Sequence, residues 1–112
     1  MSAFVLVNDV DALNKVGDDC ILKERWEIAI EIFKASGNTD KLGAIGKRCI
    51  ETREYDLAFA SFEAAGDKEG LSALGDTALV DGKFDLAKKS YLIAGNETML
   101  QFLAENFSQR TS

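Results

Sequence analysis

The sequence has 112 residues, 46% of them hydrophobic and 29% charged, with a formal net charge of −6 at pH 7, which is typical of one globular domain. The acidic balance argues against nucleic acid and anionic membranes as partners, because both are bound through clusters of Lys and Arg. There is no apolar run long enough to span a membrane and no basic region of the kind that begins a signal peptide, so we expect a cytoplasmic protein without direct membrane insertion.

The chain begins with a short apolar segment, residues 2–7, for which the sequence leaves two structures open. Phe4 and Leu13 lie 29 positions before Phe33 and Leu42, which favours a shortened helix belonging to an incomplete repeat. The run Phe-Val-Leu-Val also suits a β-strand, and periodicity does not separate the two in so short a run.

The rest of the sequence repeats with a period of 29 residues and without insertion or deletion. A fixed period of about 20–50 residues is typical of an array in which each unit is one supersecondary element. The period predicts a single helical-repeat domain over residues 1–112, made of repeats 17–45, 46–74 and 75–103 and of partial repeats 1–16 and 104–112.

Each repeat is predicted to contain two helices, and the first begins after a capping Asn or Asp. These side chains accept a hydrogen bond from a backbone N–H that the helix leaves unpaired. The caps are Asn38, Asp67 and Asn96. The first helices are predicted to stop near Glu24, Arg53 and Gly82. Of these three residues, only Gly82 is a typical helix-ending residue.

The second helix of each repeat is predicted to open around an acidic residue, which suits the positive end of the helix dipole. It ends at a glycine, which takes the left-handed conformation without a steric penalty. The opening acids are Glu27, Asp56 and Asp85, and the closing glycines are Gly37, Gly66 and Gly95. The inner stripe of the second helices is Trp26, Ala29, Phe33, Ser36; Tyr55, Ala58, Phe62, Ala65; and Phe84, Ala87, Tyr91, Ala94.

A glycine also falls inside each first helix, where it costs about 1 kcal/mol relative to alanine. These glycines are Gly17, Gly46 and Gly75. Their recurrence predicts a close approach of the two helices of a pair. The residues expected opposite them are Ala29, Ala58 and Ala87.

The two cysteines, Cys20 and Cys49, occupy the same repeat position, which holds Ala78 and Phe107 in the later copies. A position that accepts these residues is predicted to be a buried packing site, so we expect reduced core thiols rather than a disulfide or a metal pair. The sequence has no histidine to complete a zinc site or to activate a serine or cysteine nucleophile, and it lacks a phosphate-binding loop motif. We therefore expect no enzyme activity, no metal and no cofactor.

The pattern Leu-Gly-x2-Ala-Leu-x2-Gly-x-Phe-x2-Ala-x3-Tyr-x2-Ala in residues 74–94 resembles the tetratricopeptide repeat. The period is shorter than that family's period of about 34 residues, and the family's helix-ending proline is absent. In this the chain is more similar to the short helix-pair arrays of coatomer and intraflagellar-transport subunits. The resemblance implies an all-α fold, a right-handed α-solenoid of antiparallel helix pairs with about three and a half repeats.

In such families the function is protein binding, usually in a concave groove lined by the first helices. Carried over by position, the groove residues here are Asp11, Asn14, Asp18, Asp40, Lys47, Glu69, Ser72, Asp76, Gln101 and Glu105. An acidic concave surface raises the local concentration of positive charge, which predicts a basic or amphipathic protein or peptide partner. The alternative is that these acids only solvate the helix faces.

Two roles without catalysis remain open. The chain is either an adaptor or scaffold that binds a partner in this groove, or an architectural segment of a longer vesicle-coat or intraflagellar-transport solenoid. A cut segment should associate with itself through Phe102 and Phe107 on the last helix, whereas a self-contained adaptor should stay monomeric. The assembly state therefore separates the two roles.

Overall fold

In a computed structural model, residues 9–107 are described, and within them the chain forms seven α-helices and no strand. The helices are α1 (Val10–Leu22), α2 (Trp26–Ser36), α3 (Thr39–Glu51), α4 (Tyr55–Ala65), α5 (Lys68–Val80), α6 (Phe84–Ala94) and α7 (Glu97–Asn106). The all-α prediction is confirmed for this part of the chain. Residues 2–7, predicted as a shortened helix or a strand, lie outside the described residues.

The chain divides into two compact units, residues 1–66 and 67–112. In the first unit, α1 packs on α2, α3 packs on α4, and α2 also contacts α3 and α4. In the second unit, α5 packs on α6, and α6 contacts α7. Packing between adjacent helices in each unit is compatible with a helical repeat fold. The right-handed superhelix and the repeat boundaries stay predictions.

The first helix of each pair (α1, α3, α5) and α7 begin at a side-chain cap, which the sequence predicts for α3, α5 and α7. The cap oxygen of Asp9, Asn38, Asp67 or Asn96 accepts a hydrogen bond from the backbone N–H three residues later, at 2.9–3.1 Å. The second helices α2, α4 and α6 end at glycines with φ between 66 and 70°. Both helix-boundary predictions are confirmed, and they explain why one helix follows another after only two residues.

The turn inside each pair has the same backbone whether or not a glycine is present. Two residues after the first helix ends, Glu24, Arg53 and Gly82 have φ values of 55, 62 and 77°. The next backbone N–H donates to the carbonyl of Cys20, Cys49 or Ala78 at 2.8 Å. The predicted stops are thus confirmed, and two of them place an ordinary side chain in the left-handed region, which costs about 1–2 kcal/mol per residue.

The glycines inside the first helices face aromatic rings, and not the alanines that the sequence analysis expects opposite them. A Cβ atom built on Gly17 would lie 2.5 Å from the Phe33 ring. The corresponding distances are 2.6 Å from Gly46 to Phe62 and from Gly75 to Tyr91. Ala29, Ala58 and Ala87 are fully buried beside these contacts. We call this row of glycine–aromatic contacts the seam of each helix pair.

The first three positions of each predicted stripe are buried with one exception. The fourth position is partly buried and is held by Ser36, Ala65 and Ala94. Cys20 and Cys49 are buried free thiols, as predicted for a packing position. Trp26 and Tyr55 are 8% and 7% exposed, but Phe84, predicted as their equivalent, is 44% exposed. It belongs to α6, the last second helix of the described chain, and its ring lies 4.6 Å from that of Phe107, measured between centroids.

Within residues 9–107, each helix is too short or too polar to cross a membrane. The cytoplasmic location stays a prediction.

Candidate partner-binding faces of the first helices

In the first unit, the predicted binding residues lie on α1 and α3. Asp11, Asp40 and Lys47 are exposed, whereas Asn14 and Asp18 are partly buried. Exposure at the helix surface leaves the first three available to a partner. The two partly buried residues have contacts within the chain that the sequence analysis missed.

Asn14 connects α1 to the junction between α2 and α3. Its Oδ1 accepts a hydrogen bond from Ser36 Oγ at 2.8 Å and another from Asn38 Nδ2 at 3.2 Å. Asn38 also caps α3 through its own Oδ1, which accepts from Lys41 N. The side-chain carbonyl of Asn14 therefore holds the α2–α3 junction in place. The N–H groups of the same side-chain amide are the part that a partner could contact.

Asp18 lies beside a lysine of the neighbouring first helix. The Nζ atom of Lys41 is 2.9 Å from Asp18 Oδ1, and both side chains are about half exposed. The sequence analysis missed this ion pair and counted Asp18 among the uncompensated acids. The sequence contains one indication of this ion pair. Lys41 occupies the repeat position of Gly70 and Met99, and of these three residues it alone is positively charged.

In the second unit, three predicted residues of α5 come together in one open cleft. Glu69, Ser72 and Asp76 line a cleft of about 420 Å³. The other lining residues are Lys68, Ala73, Ala94 and Asn96. Asn96 Nδ2 donates to Ser72 Oγ at 3.2 Å, which repeats the bond between Asn38 and Asn14 in the first unit. The sequence analysis assigned Asn96 only a capping role, although its position beside a polar first-helix residue recurs.

Asp76 is held by a residue of the seam. The Tyr91 hydroxyl donates to Asp76 Oδ1 at 2.6 Å. Burial of the phenol raises its pKa, and the hydrogen bond and charge of Asp76 raise it further. Tyr91 therefore stays a proton donor at neutral pH, and the carboxylate is kept in one orientation. Phe33 and Phe62 occupy the same repeat position, so only the third pair has this hydroxyl.

The two predicted residues of α7 lie apart from this cleft. Gln101 and Glu105 are exposed, and Gln101 Nε2 donates to Glu105 Oε2 at 3.1 Å along the same helix. Neither residue lines the cleft formed by Glu69, Ser72 and Asp76.

A second cleft of the same unit lies between α6 and α7 and has a volume of about 380 Å³. We call it the α7 cleft, and its lining residues are Phe84, Asp85, Lys88, Leu100, Leu103, Ala104 and Phe107. Phe102, predicted with Phe107 to mediate self-association, is 41% exposed, and the two rings are 6.1 Å apart. Self-association itself stays a prediction.

Comparison with known proteins gives no relative. The chain matches no protein-family model, no curated protein and no solved structure.

Proposed function

We propose that the chain is a non-catalytic protein-interaction module, an adaptor or scaffold that binds a basic or amphipathic segment of a protein partner on the first helices. The observation that carries this proposal is the open cleft on α5. It gathers Glu69, Ser72 and Asp76, three residues that the repeat positions assign to binding before any geometry is considered.

The chemistry of this cleft favours a cationic ligand. Two carboxylates, Glu69 and Asp76, face one ammonium group, that of Lys68. Asp76 is fixed by Tyr91, so a partner does not have to immobilise this side chain on binding. Binding groups that are already ordered lose less conformational entropy, which favours affinity.

The first unit supports the proposal less strongly. Asp11 and Asp40 are exposed acids, but Asp18 is paired with Lys41, and Lys47 occupies the repeat position of Asp76. Two of the three acids of this face are therefore offset by lysines. We assign it a secondary role and place the main binding site on α5, where two carboxylates share one cleft.

The repeat pattern supports an arrangement like that of tetratricopeptide repeats, in which successive first helices form one binding surface. Support comes from the matching residues in 74–94 and from the helix pairing within each unit. A right-handed solenoid of about three and a half helix pairs belongs to this proposal.

The proposal is tested by peptide selection on the intact chain. Random peptides displayed on phage are selected on the immobilised protein, and the selected sequences are synthesised and measured by fluorescence anisotropy. We expect peptides rich in Lys and Arg, with weaker binding at high salt. Glu69→Lys should weaken binding several-fold, because a charge at the edge of a binding site mainly governs association rate and salt dependence.

The matched control is Glu63→Lys, which makes the same charge change at an exposed position of α4. It should leave binding unchanged. Peptides that respond to Glu63→Lys and ignore Glu69→Lys would move the binding site to the second helices and overturn the proposal.

A second candidate function is an architectural segment of a longer coat or transport solenoid. The observation that favours it is the apolar α7 cleft, since stacked repeats bury such faces against the next unit. Sedimentation velocity separates the candidates. Self-association that is lost on Phe102→Ser would favour the architectural role, and a monomer over the accessible concentration range would favour the adaptor.

A further inference from the structure

The α7 cleft is the fourth copy of a surface that second helices cover in the rest of the chain. In each complete pair, the same face of the first helix packs against its second helix: α1 on α2, α3 on α4 and α5 on α6. Leu100 and Leu103 of α7 occupy the positions of Leu42 and Ile45 on α3. The chain itself therefore shows that an amphipathic helix covers a face of this kind.

Exposure shows that no helix within residues 9–107 covers α7 in this way. On α3, Leu42, Ile45 and Cys49 are at most 2% exposed. On α7, Leu103 is 7% exposed, and its neighbours Leu100, Ala104 and Phe107 are partly or fully exposed.

Two departures from the repeat restrict which helix fits. Ala104 stands where the complete pairs have Gly17, Gly46 and Gly75. A Cβ atom at any of these glycines would lie 2.5–2.6 Å from the aromatic ring of the second helix, which is too close. A helix with Phe or Tyr at that position is therefore excluded from α7. Phe107 fills further space, because the complete pairs have Cys or Ala at its position.

A third departure lies on α6. Lys88 takes the repeat position of Ile30 and Phe59, both of which are buried. A helix placed beside α6 would meet an ammonium group where the earlier second helices offer an apolar side chain. An acidic residue opposite Lys88 would compensate this charge as it loses water.

We propose that the α7 cleft binds an amphipathic helix of a partner protein, seated as a second helix sits on its first helix. The bound helix has a small residue opposite Ala104, where the chain's own second helices have Phe or Tyr, and an acidic residue beside Lys88. A second helix with Phe or Tyr at that position, as in the chain's own three pairs, does not fit this cleft. The inference is separate from the α5 cleft and does not depend on it.

The chain provides its own probe. The α2 segment, Trp-Glu-Ile-Ala-Ile-Glu-Ile-Phe-Lys-Ala-Ser, has the required apolar stripe. In the first unit, Glu27, Ile30 and Glu31 of α2 share a cleft with Asp56, Leu57 and Ala60 of α4. The same stacking on α6 would bring Glu31 of the probe, which corresponds to Ala60, beside Lys88.

Two synthetic peptides with blocked ends differ only at the position of Phe33. One keeps phenylalanine and the other has alanine. Each is titrated into the intact, ¹⁵N-labelled chain, and binding is read from amide chemical shifts of α6 and α7. We expect the alanine peptide to bind at least about tenfold more tightly, because its stripe leaves room for the Ala104 methyl group.

Variants of the chain make the test specific. Ala104→Gly should improve binding of the phenylalanine peptide about tenfold and thereby remove the preference. Lys88→Glu should weaken the alanine peptide several-fold, and a Glu31→Lys version of that peptide should recover the loss. Both positions are exposed, so neither variant removes a core residue. Glu69→Lys should have no effect, which distinguishes this site from the α5 cleft.

Three results would overturn the inference. The first is that the phenylalanine and alanine peptides bind the wild-type chain with equal affinity and also bind the Ala104→Gly chain with equal affinity. The second is a set of shifted amides that lies outside α6 and α7. The third is concentration-dependent broadening of the α7 amides without peptide, which would make a second copy of the chain the occupant.

Discussion

Two regions of the molecule follow the same 29-residue period: the seam between paired helices and the exposed faces of the first helices. The seam is nearly identical in every pair, whereas the faces differ from copy to copy. Along the seam, the contact between glycine and ring recurs in all three pairs to within 0.1 Å, from 2.5 to 2.6 Å. On the faces, equivalent positions hold Asn14, Gly43 and Ser72, or Asp18, Lys47 and Asp76.

The difference follows from packing. Protein interiors are as dense as organic crystals, so a seam has few solutions, and each pair uses the same one. An exposed face is not constrained by close packing, so its residues can differ from copy to copy. Repetition therefore marks the residues that define the fold, and departures from it mark the residues available for recognition.

The largest expected effect is at the seam. Gly46→Leu should destabilise the protein by more than about 2 kcal/mol, because the side chain would be forced into the Phe62 ring. Urea unfolding followed by circular dichroism measures the change. The matched control is Ala44→Leu, which adds a similar side chain at an exposed position of α3 and should cost little.

The double variant Gly46→Leu with Phe62→Ala should be more stable than the sum of the two single changes predicts, since removing the ring makes room. Simple additivity would show that the two residues do not meet, and the seam would lose its explanation.

A smaller effect is expected at the turns inside each pair. Gly82→Ala should cost about 1 kcal/mol, because φ at this residue is 77° and a Cβ atom is strained there. Arg53→Gly relieves the φ of 62° at Arg53 but also removes the hydrogen bond that Arg53 Nη1 donates to the Tyr55 hydroxyl at 2.9 Å. It should therefore stabilise by less than Gly82→Ala destabilises. A new glycine also gives the unfolded chain more conformational freedom, which reduces this gain in stability.

Thermal unfolding of the two variants at the same pH and salt shows whether Gly82→Ala lowers the melting temperature and Arg53→Gly raises it. Destabilisation by both changes would mean that the Arg53 side chain contributes more than its backbone strain costs.

The helix boundaries and the seam show how far the sequence predicts the fold. The caps and the helix-ending glycines follow from local residue chemistry, which acts over a few positions. The stops near Glu24 and Arg53 and the buried thiols follow instead from the 29-residue period, which places them at equivalent positions. The partner of the glycine column was predicted wrongly as alanine. The rotation of one helix against the other decides that contact, and helical periodicity places alanine and phenylalanine on the same stripe.

The binding faces were less predictable for a related reason. The repeat positions predict which residues lie on the first helices, but not which of them are engaged within the chain. The contacts of Asp18 with Lys41 and of Asp76 with Tyr91 depend on the distance between neighbouring helices. Three of the ten predicted residues, those on α5, line one cleft of the described part of the chain.

A pH effect distinguishes the buried Cys49 thiol from the alanine that replaces it in the third pair. Burial of the thiol and, to a smaller extent, the charge of the nearby Glu54 raise the pKa of Cys49 from 9.0 to about 11, against an opposing effect of Arg48. The folded chain thus holds the thiol proton more tightly than the unfolded chain. The resulting stability is complete below pH 9 and is lost as the pH rises from 9 to 11.

Cys49→Ala, which copies Ala78, should reduce the fall in unfolding free energy between pH 8 and pH 10. The melting temperature at pH 8 should change little, because alanine already occupies this position in the third pair. Tyr91, whose pKa is also raised, adds a loss of its own above pH 10 in both proteins. Identical pH profiles for the two proteins would assign the alkaline loss to other groups.

The smallest expected change in stability is at the one residue that belongs to both regions. Tyr91 packs on Gly75 in the seam and reaches the α5 face through its hydroxyl. Tyr91→Phe makes the third seam a copy of the first two, so the ring packing is kept. We expect a loss of about 1 kcal/mol or less, the usual net value of one hydrogen bond, because water can replace the hydroxyl at the exposed Asp76 carboxylate.

Binding should respond more than stability does. Without the Tyr91 hydroxyl, Asp76 is free to rotate, and a basic peptide selected on the cleft has to order it at an entropic cost. Asp76→Asn keeps a hydrogen-bond acceptor for Tyr91 but removes the charge, so it separates orientation from electrostatics. We expect both variants to weaken the peptide, with the salt dependence reduced only for Asp76→Asn. A Tyr91→Phe protein that binds as well as the wild type, and is destabilised by more than about 2 kcal/mol, would assign this hydrogen bond to the fold alone.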